Sequence, residues 1–159
     1  MNRAHDVIGL PVIELKTGKE VGHVRDLLFN EQWYCTGVLL GEKSLLRQGS
    51  YLSVEAVHAV GTDCVTIADA GAVIFFEEPP GWIGLETGNS HLKGKPFITE
   101  CGRHLGFVED VYFQPQLGKI LGYELSDGIL SDIMDGRRVI RHTKNIKMGE
   151  DVIIVSGTE

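Results

Sequence analysis

Asp26 and Asp110 are acids that recur at matched places in the chain, 84 positions apart, each flanked by apolar residues. Brought together, two carboxylates could share a proton or divide general acid and base roles. The plainer reading is that each accepts turn or strand-end hydrogen bonds within its own unit, or meets a nearby base such as Arg25. That reading is favoured, because carboxylates in separate units need not face each other. The six histidines (His5, His23, His58, His91, His104 and His142) lack the close His or Cys spacing that zinc sites use. Cys35 and Cys64 fall in strand-like runs as small buried hydrophobes, and Cys101 falls in a turn with no forced partner base. The glycine-rich run from Gly81 to Gly88 lacks the Gly-Lys-Ser/Thr ending of a phosphate loop and carries Glu86, which would repel phosphate. Asp127, Asp132 and Asp135 lack calcium-loop spacing, and helix-end capping accounts for them. No nucleophile, base and anion-binding set can be assembled. The expectation is therefore a protein that is not an enzyme and uses no cofactor or metal.

The elements that position these residues come in two copies. Gly9, Pro11 and Ile13 recur as Gly94, Pro96 and Ile98 at an offset of 85. Gly18, Gly22, Val24, Asp26 and Phe29 recur as Gly102, Gly106, Val108, Asp110 and Phe113 at an offset of 84. With 20 glycines in 159 residues a single match would mean nothing, but eight ordered matches with one indel mean a duplicated domain. The pairing continues through Gly37 and Gly122, and through Gly61/Gly149 and Asp63/Asp151 at an offset of 88. The units are expected at residues 5–69 and 91–156. A linker over 70–90 is marked by Pro79-Pro80 and its glycines, and its Trp82, Ile83 and Leu85 prefer a surface to pack on.

Within each unit the pattern reads as short strands with frequent turns, which predicts an all-β chain of two small barrels. Gly22 and Gly106 interrupt long β-rich runs and predict a bend at the same place in both copies. Ser53 is expected to cap one helical turn over 53–56, and 57–67 to form a closing hairpin. Closing each sheet on itself would remove its edges. Residues 126–136 have apolar positions at helical spacing and predict a one- to two-turn helix or an ordered loop.

Hydrophobic content of 43% suffices for a core, and no apolar run approaches the roughly 20 residues of a membrane span. Met1 to Asp6 lead directly into the first copy, so no signal peptide is expected, and the odd cysteine count implies no disulfide framework. A reducing cytoplasm follows as the expected compartment. Net charge of −7 argues against general nucleic-acid binding, and one stretch alone (Arg137, Arg138, Arg141, Lys144 and Lys147) is locally basic. In a strand Arg137 and Arg141 would share a face opposite Arg138, with Lys144 and Lys147 extending the edge. Trp82 and Ile133 lie outside the barrel periodicity and are candidate contacts with a partner or a second copy, or seals between the two units.

Gly-x-Pro-Val/Phe-Ile, a tight turn, Gly-x-x-x-Gly-x-Val-x-Asp-x-x-Phe, and a closing strand-turn-strand with Gly-x-Asp resemble the PRC-barrel family. The likeness spans both units, with Gly18, Gly22 and Asp26, and Gly102, Gly106 and Asp110, as the repeated motif. The family's fold is similar to a small SH3-like β-barrel. It includes the cytoplasmic domain of the photosynthetic reaction-centre H subunit and the C-terminal domain of a bacterial ribosome-maturation factor, and some short members are associated with sporulation. The resemblance implies a docking module: a non-catalytic cytoplasmic adaptor binding proteins not yet identified, or self-associating as a homo-oligomer. The alternative is an RNA- or ribosome-associated factor using the basic edge of the second barrel, a reading weakened by the lack of aromatic residues in that stretch to stack on bases.

Overall fold

The computed structural model describes residues 2–41, 49–76, 82–88, 91–126 and 138–156. The chain opens with β1 (Asn2–Arg3) and a four-residue helix α1 (Ala4–Val7). The first unit follows as β2 (Pro11–Glu14), β3 (Glu20–Phe29), β4 (Cys35–Gly41), β5 (Gly49–Ser53), β6 (Val57–Val60) and β7 (Val65–Ile67). Two short strands, β8 (Ile74–Phe76) and β9 (Ile83–Gly84), lie in the segment between the units. The second unit is β10 (Pro96–Thr99), β11 (His104–Phe113), β12 (Ile120–Ser126), β13 (Arg138–Arg141), β14 (Ile146–Met148) and β15 (Ile153–Val155).

The two sheets share one strand order, β6-β7-β2-β3-β4-β5 in the first and β14-β15-β10-β11-β12-β13 in the second. In both, the first strand pairs antiparallel with the second and parallel with the last. The bend falls at Gly22 and Gly106, each with positive φ (158° and 142°) and each opposite a register slip in the neighbouring strand. At Gly22 a Cβ would also stand 2.9 Å from the Gly41 carbonyl oxygen, so only glycine lets β3 turn this sharply. The all-β fold and its duplication therefore stand as the sequence implies.

Each sheet curls into a half-barrel without completing a ladder. Among the described residues no strand pair joins β6 to the β5 side or β14 to β13. A single 3-10 turn, Val54–Ala56, carries the chain from β5 to β6. Ser53 occupies the position before that turn but makes no capping hydrogen bond; its hydroxyl donates to the Glu55 carboxylate instead. The predicted hairpin is present as β6 and β7. The expected helix or loop at 126–136, and with it Ile133, falls almost wholly outside the described residues.

The two units are built into one another. β1, which precedes the first unit, pairs with β11 of the second through Asn2↔Phe113 and Arg3↔Tyr112. β9, which precedes the second unit, pairs with β3 of the first through Ile83↔Phe29 and Gly84↔Leu28. Phe29 and Phe113 are themselves repeat equivalents, so the exchange of straps is reciprocal. Each strap then returns to its own unit at a left-handed glycine: the Gly9 N–H donates to Val24 and the Gly94 N–H to Val108. The β3–β4 and β11–β12 turns meet between the units, where the Cys35 N–H donates to Gly118 and the Ile120 N–H to Trp33. Ala4, Val7, Leu85 and Leu92 of the straps are buried in a hydrophobic core that runs continuously through both halves. Burying each leucine contributes about 1.5–3 kcal/mol, enough for short straps to hold the halves together.

Candidate functional site

The repeated carboxylates are clamps, each closed on a strap. Asp26 is fully buried and accepts hydrogen bonds from Leu27 N (2.8 Å), Glu86 N (3.2 Å), Thr87 N (2.9 Å) and Thr87 Oγ1 (2.6 Å). The strap comes this close because residue 84 is glycine; a Cβ there would stand 2.6 Å from Asp26 Oδ2. Asp110 accepts from Val111 N (2.8 Å) and His5 N (3.1 Å), and pairs with Arg3 Nε at 3.3 Å. Arg3 also reaches Glu124 at 2.9 Å and lies over the Tyr112 ring. Burial holds the Asp110 carboxyl above its ordinary range even with Arg3 beside it. The carboxylates thus accept hydrogen bonds, but most donors come from the strap rather than from the unit's own turns. The charged partner is Arg3, and Arg25 is exposed.

Cys35, Tyr123 and His142 are spent on packing, whereas Cys64 is half-buried and Cys101 is exposed. Burial pushes the Cys35 thiol up to about 12, which keeps it protonated and inert. Tyr123 is buried, its phenol raised by desolvation, and its oxygen lies 2.8 Å from His142 Nδ1. Trp33 packs edge-on to Tyr123 at 6.0 Å and against His142 at 5.2 Å, which ties the first unit's β3–β4 turn to the second barrel. Burial, with the charge of Lys119, lowers the His142 value. Among the described residues no cluster of His, Cys, Asp or Glu could hold a metal ion.

Among the described residues, none covers one surface of the second barrel. A groove of about 790 Å³ runs over the outer face of β11–β13, lined by Tyr112, Gly122, Val139, Arg141, Lys119 and His142 among others. Its floor is the paired row Tyr112–Gly122–Arg141. Val139 is 58% exposed. Among the described residues that line it there are cationic and apolar side chains and no carboxylate. The same place on the first barrel is filled. There Trp82 packs edge-on against Tyr51 (5.4 Å, 87°), and a Cβ added to Gly37 would meet its ring at 3.4 Å.

The sequence-selected residues therefore divide. Trp82 seats on the first barrel, over Gly37 and Tyr51. Arg141 lines the groove beside Val139, while Arg138 donates to the Leu105 carbonyl at 3.0 Å. Lys144 and Lys147 line a separate cleft of about 570 Å³ with Asn30, Glu31, Trp33 and Ile83. Arg137 lies outside the described residues. Lys119, Val139 and Tyr112 were not selected from sequence, because nothing in a single strand's pattern shows which strands lie beside it. Their only sequence trace is the Gly37/Gly122 correspondence, which marks a floor without a side chain.

The sequence matches the family model described as PRC-barrel domain over residues 1–69 and again over 87–159. The chain belongs to the PRC-barrel family. A Bacillus subtilis (strain 168) protein, described as uncharacterized protein YrrD, is 28% identical over 159 residues, covering 99% of this chain and 88% of the relative. In this chain the outer faces of the barrels differ: Trp82 covers the first, and among the described residues none covers the second.

Proposed function

We propose that the protein is a non-catalytic adaptor that docks other proteins on the outer face of its second PRC barrel. The open groove over Gly122 carries this reading, because its counterpart over Gly37 is sealed from within the chain. Exposed Val139 offers the apolar contact, and Arg141 and Lys119 offer charge on a protein that is otherwise acidic. The buried Cys35 thiol and the strap-bound carboxylates Asp26 and Asp110 support a role without catalysis. The thiols Cys35, Cys64 and Cys101, none in a disulfide, fit a cytoplasmic setting for the adaptor; among the described residues no helix is long and apolar enough to cross a membrane. The split of Arg141 from Lys144 and Lys147 into two clefts speaks against a continuous track for RNA phosphates.

The test is affinity capture from native lysate with wild type and a Val139→Asp/Arg141→Glu variant, with and without nuclease. Proteins retained by wild type, resistant to nuclease and lost with the variant are the expected result. Capture abolished by nuclease would replace this function with the RNA-associated one. Capture indifferent to the variant would move docking to another surface.

A further inference from the structure

We propose that the groove over Gly122 and the outer edge of β13 receive an extended segment of a partner protein, with an aromatic side chain for the groove and acidic side chains for Arg141 and Lys119, an assignment that rests on the docking function above. The first barrel displays the bound state of such a segment inside the chain. β8 adds antiparallel to β5, with Tyr51↔Ile74, Ser50↔Phe75 and Gly49↔Phe76 in register. The chain continues in sequence through Glu77 and Glu78 and then seats Trp82 over Gly37 and against Tyr51. β9 completes the wrap on β3.

Among the described residues the second barrel has one end of this wrap and lacks the other. β1 occupies β11 as β9 occupies β3. Among the described residues, no strand pairs with the outer edge of β13, the equivalent of β5. Gly122 keeps the floor flat where Gly37 does, and Val139 stands where Tyr51 receives the indole. The charge has changed: Arg141 replaces Ser53 at the matched position, with Lys119 across the groove. Among the described residues neither cation has a carboxylate within ion-pair distance. An unpaired strand edge supplies main-chain hydrogen bonds, a flat-floored groove admits a planar ring, and uncompensated cations select acids.

The experiment titrates the full chain, isotopically labelled, with a synthetic peptide of its own residues 72–86, which carries the strand, the acids and the tryptophan. The expected result is saturable amide shifts at Gly122, Val139 and Arg141. Replacing the peptide's Trp82 by Ala, or introducing Arg141→Glu into the protein, weakens binding about tenfold or more. A peptide with Glu77→Lys and Glu78→Lys binds the Arg141→Glu protein better than it binds wild type. Absence of shifts at about 1 mM peptide, shifts confined to β5 of the first barrel, or equal binding of the Trp82→Ala peptide overturns the assignment. If the peptide fails while lysate partners still depend on Val139 and Arg141, the docking function stands and this ligand class falls. If both fail, both fall.

Discussion

The two barrels have one strand order and one clamp, yet they close the clamp with different chemistry. Asp26 is satisfied by neutral donors alone, two strap amides and a threonine hydroxyl besides its neighbour's N–H. Asp110 has fewer amide donors and relies on Arg3, whose side chain is 36% exposed. Gly84 and Arg3 occupy equivalent places on the two straps. With glycine, the backbone approaches until its own amides reach the carboxylate. With arginine, a long side chain meets the carboxylate from the solvent side and also ties in Glu124. A buried carboxylate needs its hydrogen bonds satisfied, and two unrelated solutions serve one fold.

The largest effect that separates these solutions is expected at Asp26. Asp26→Ala leaves the Glu86 and Thr87 donors unmatched under a buried strap and should cost about 3 kcal/mol or more in urea unfolding. A loss under about 1 kcal/mol would show that the strap is held by Leu85 and Leu92 burial, with the clamp incidental.

Next comes the face that distinguishes the barrels. Trp82→Ala should destabilise by about 2 kcal/mol, because it uncovers Gly37 and Tyr51 and makes the first barrel resemble the second. If stability is unchanged, Trp82 does not seal that face and the contrast with the open groove loses its meaning.

Arg3→Ala should cost less, about 1 kcal/mol, since the pair is partly screened by solvent, and raised salt should shrink the difference from wild type. The pH response supplies the sharper reading. Burial places the folded Asp110 value above the unfolded one, so the native state binds the extra proton and this residue's contribution falls as pH rises through that window. Asp110→Asn should flatten that part of the stability curve in acid titrations. An unchanged curve would mean that Asp110 titrates as it does in the unfolded chain.

The smallest effect is expected at the junction residue His142. Its folded value lies below 6.5, so the unfolded chain binds protons first and stability falls as pH drops below that point. His142→Phe should remove this slope while keeping the contact with Trp33. A slope that persists in the variant would place the titration elsewhere.

Much of the architecture was legible because its causes are local. Glycine at Gly22 and Gly106 permits the positive φ at which each long strand bends, and alternating apolar residues commit one face of each strand to a core. The clamps were half legible. The recurrence of Asp26 and Asp110 marked them as important, but their donors sit about 60 and 105 positions away. Ser53 shows the opposite failure: the residue type suits a cap, yet an acid two positions on competes for its hydroxyl.

By itself the sequence determined that the chain is all-β and duplicated, since composition, period and turn chemistry act over a few residues. Tertiary structure alone decided that the straps are exchanged, that Arg3 rather than Arg25 meets a buried carboxylate, and that Trp82 covers the first barrel. Those outcomes depend on which strand edges meet in space. Residues distant in the chain become neighbours only when the common core forms, and no local pattern records which of two equivalent faces the linker will cover.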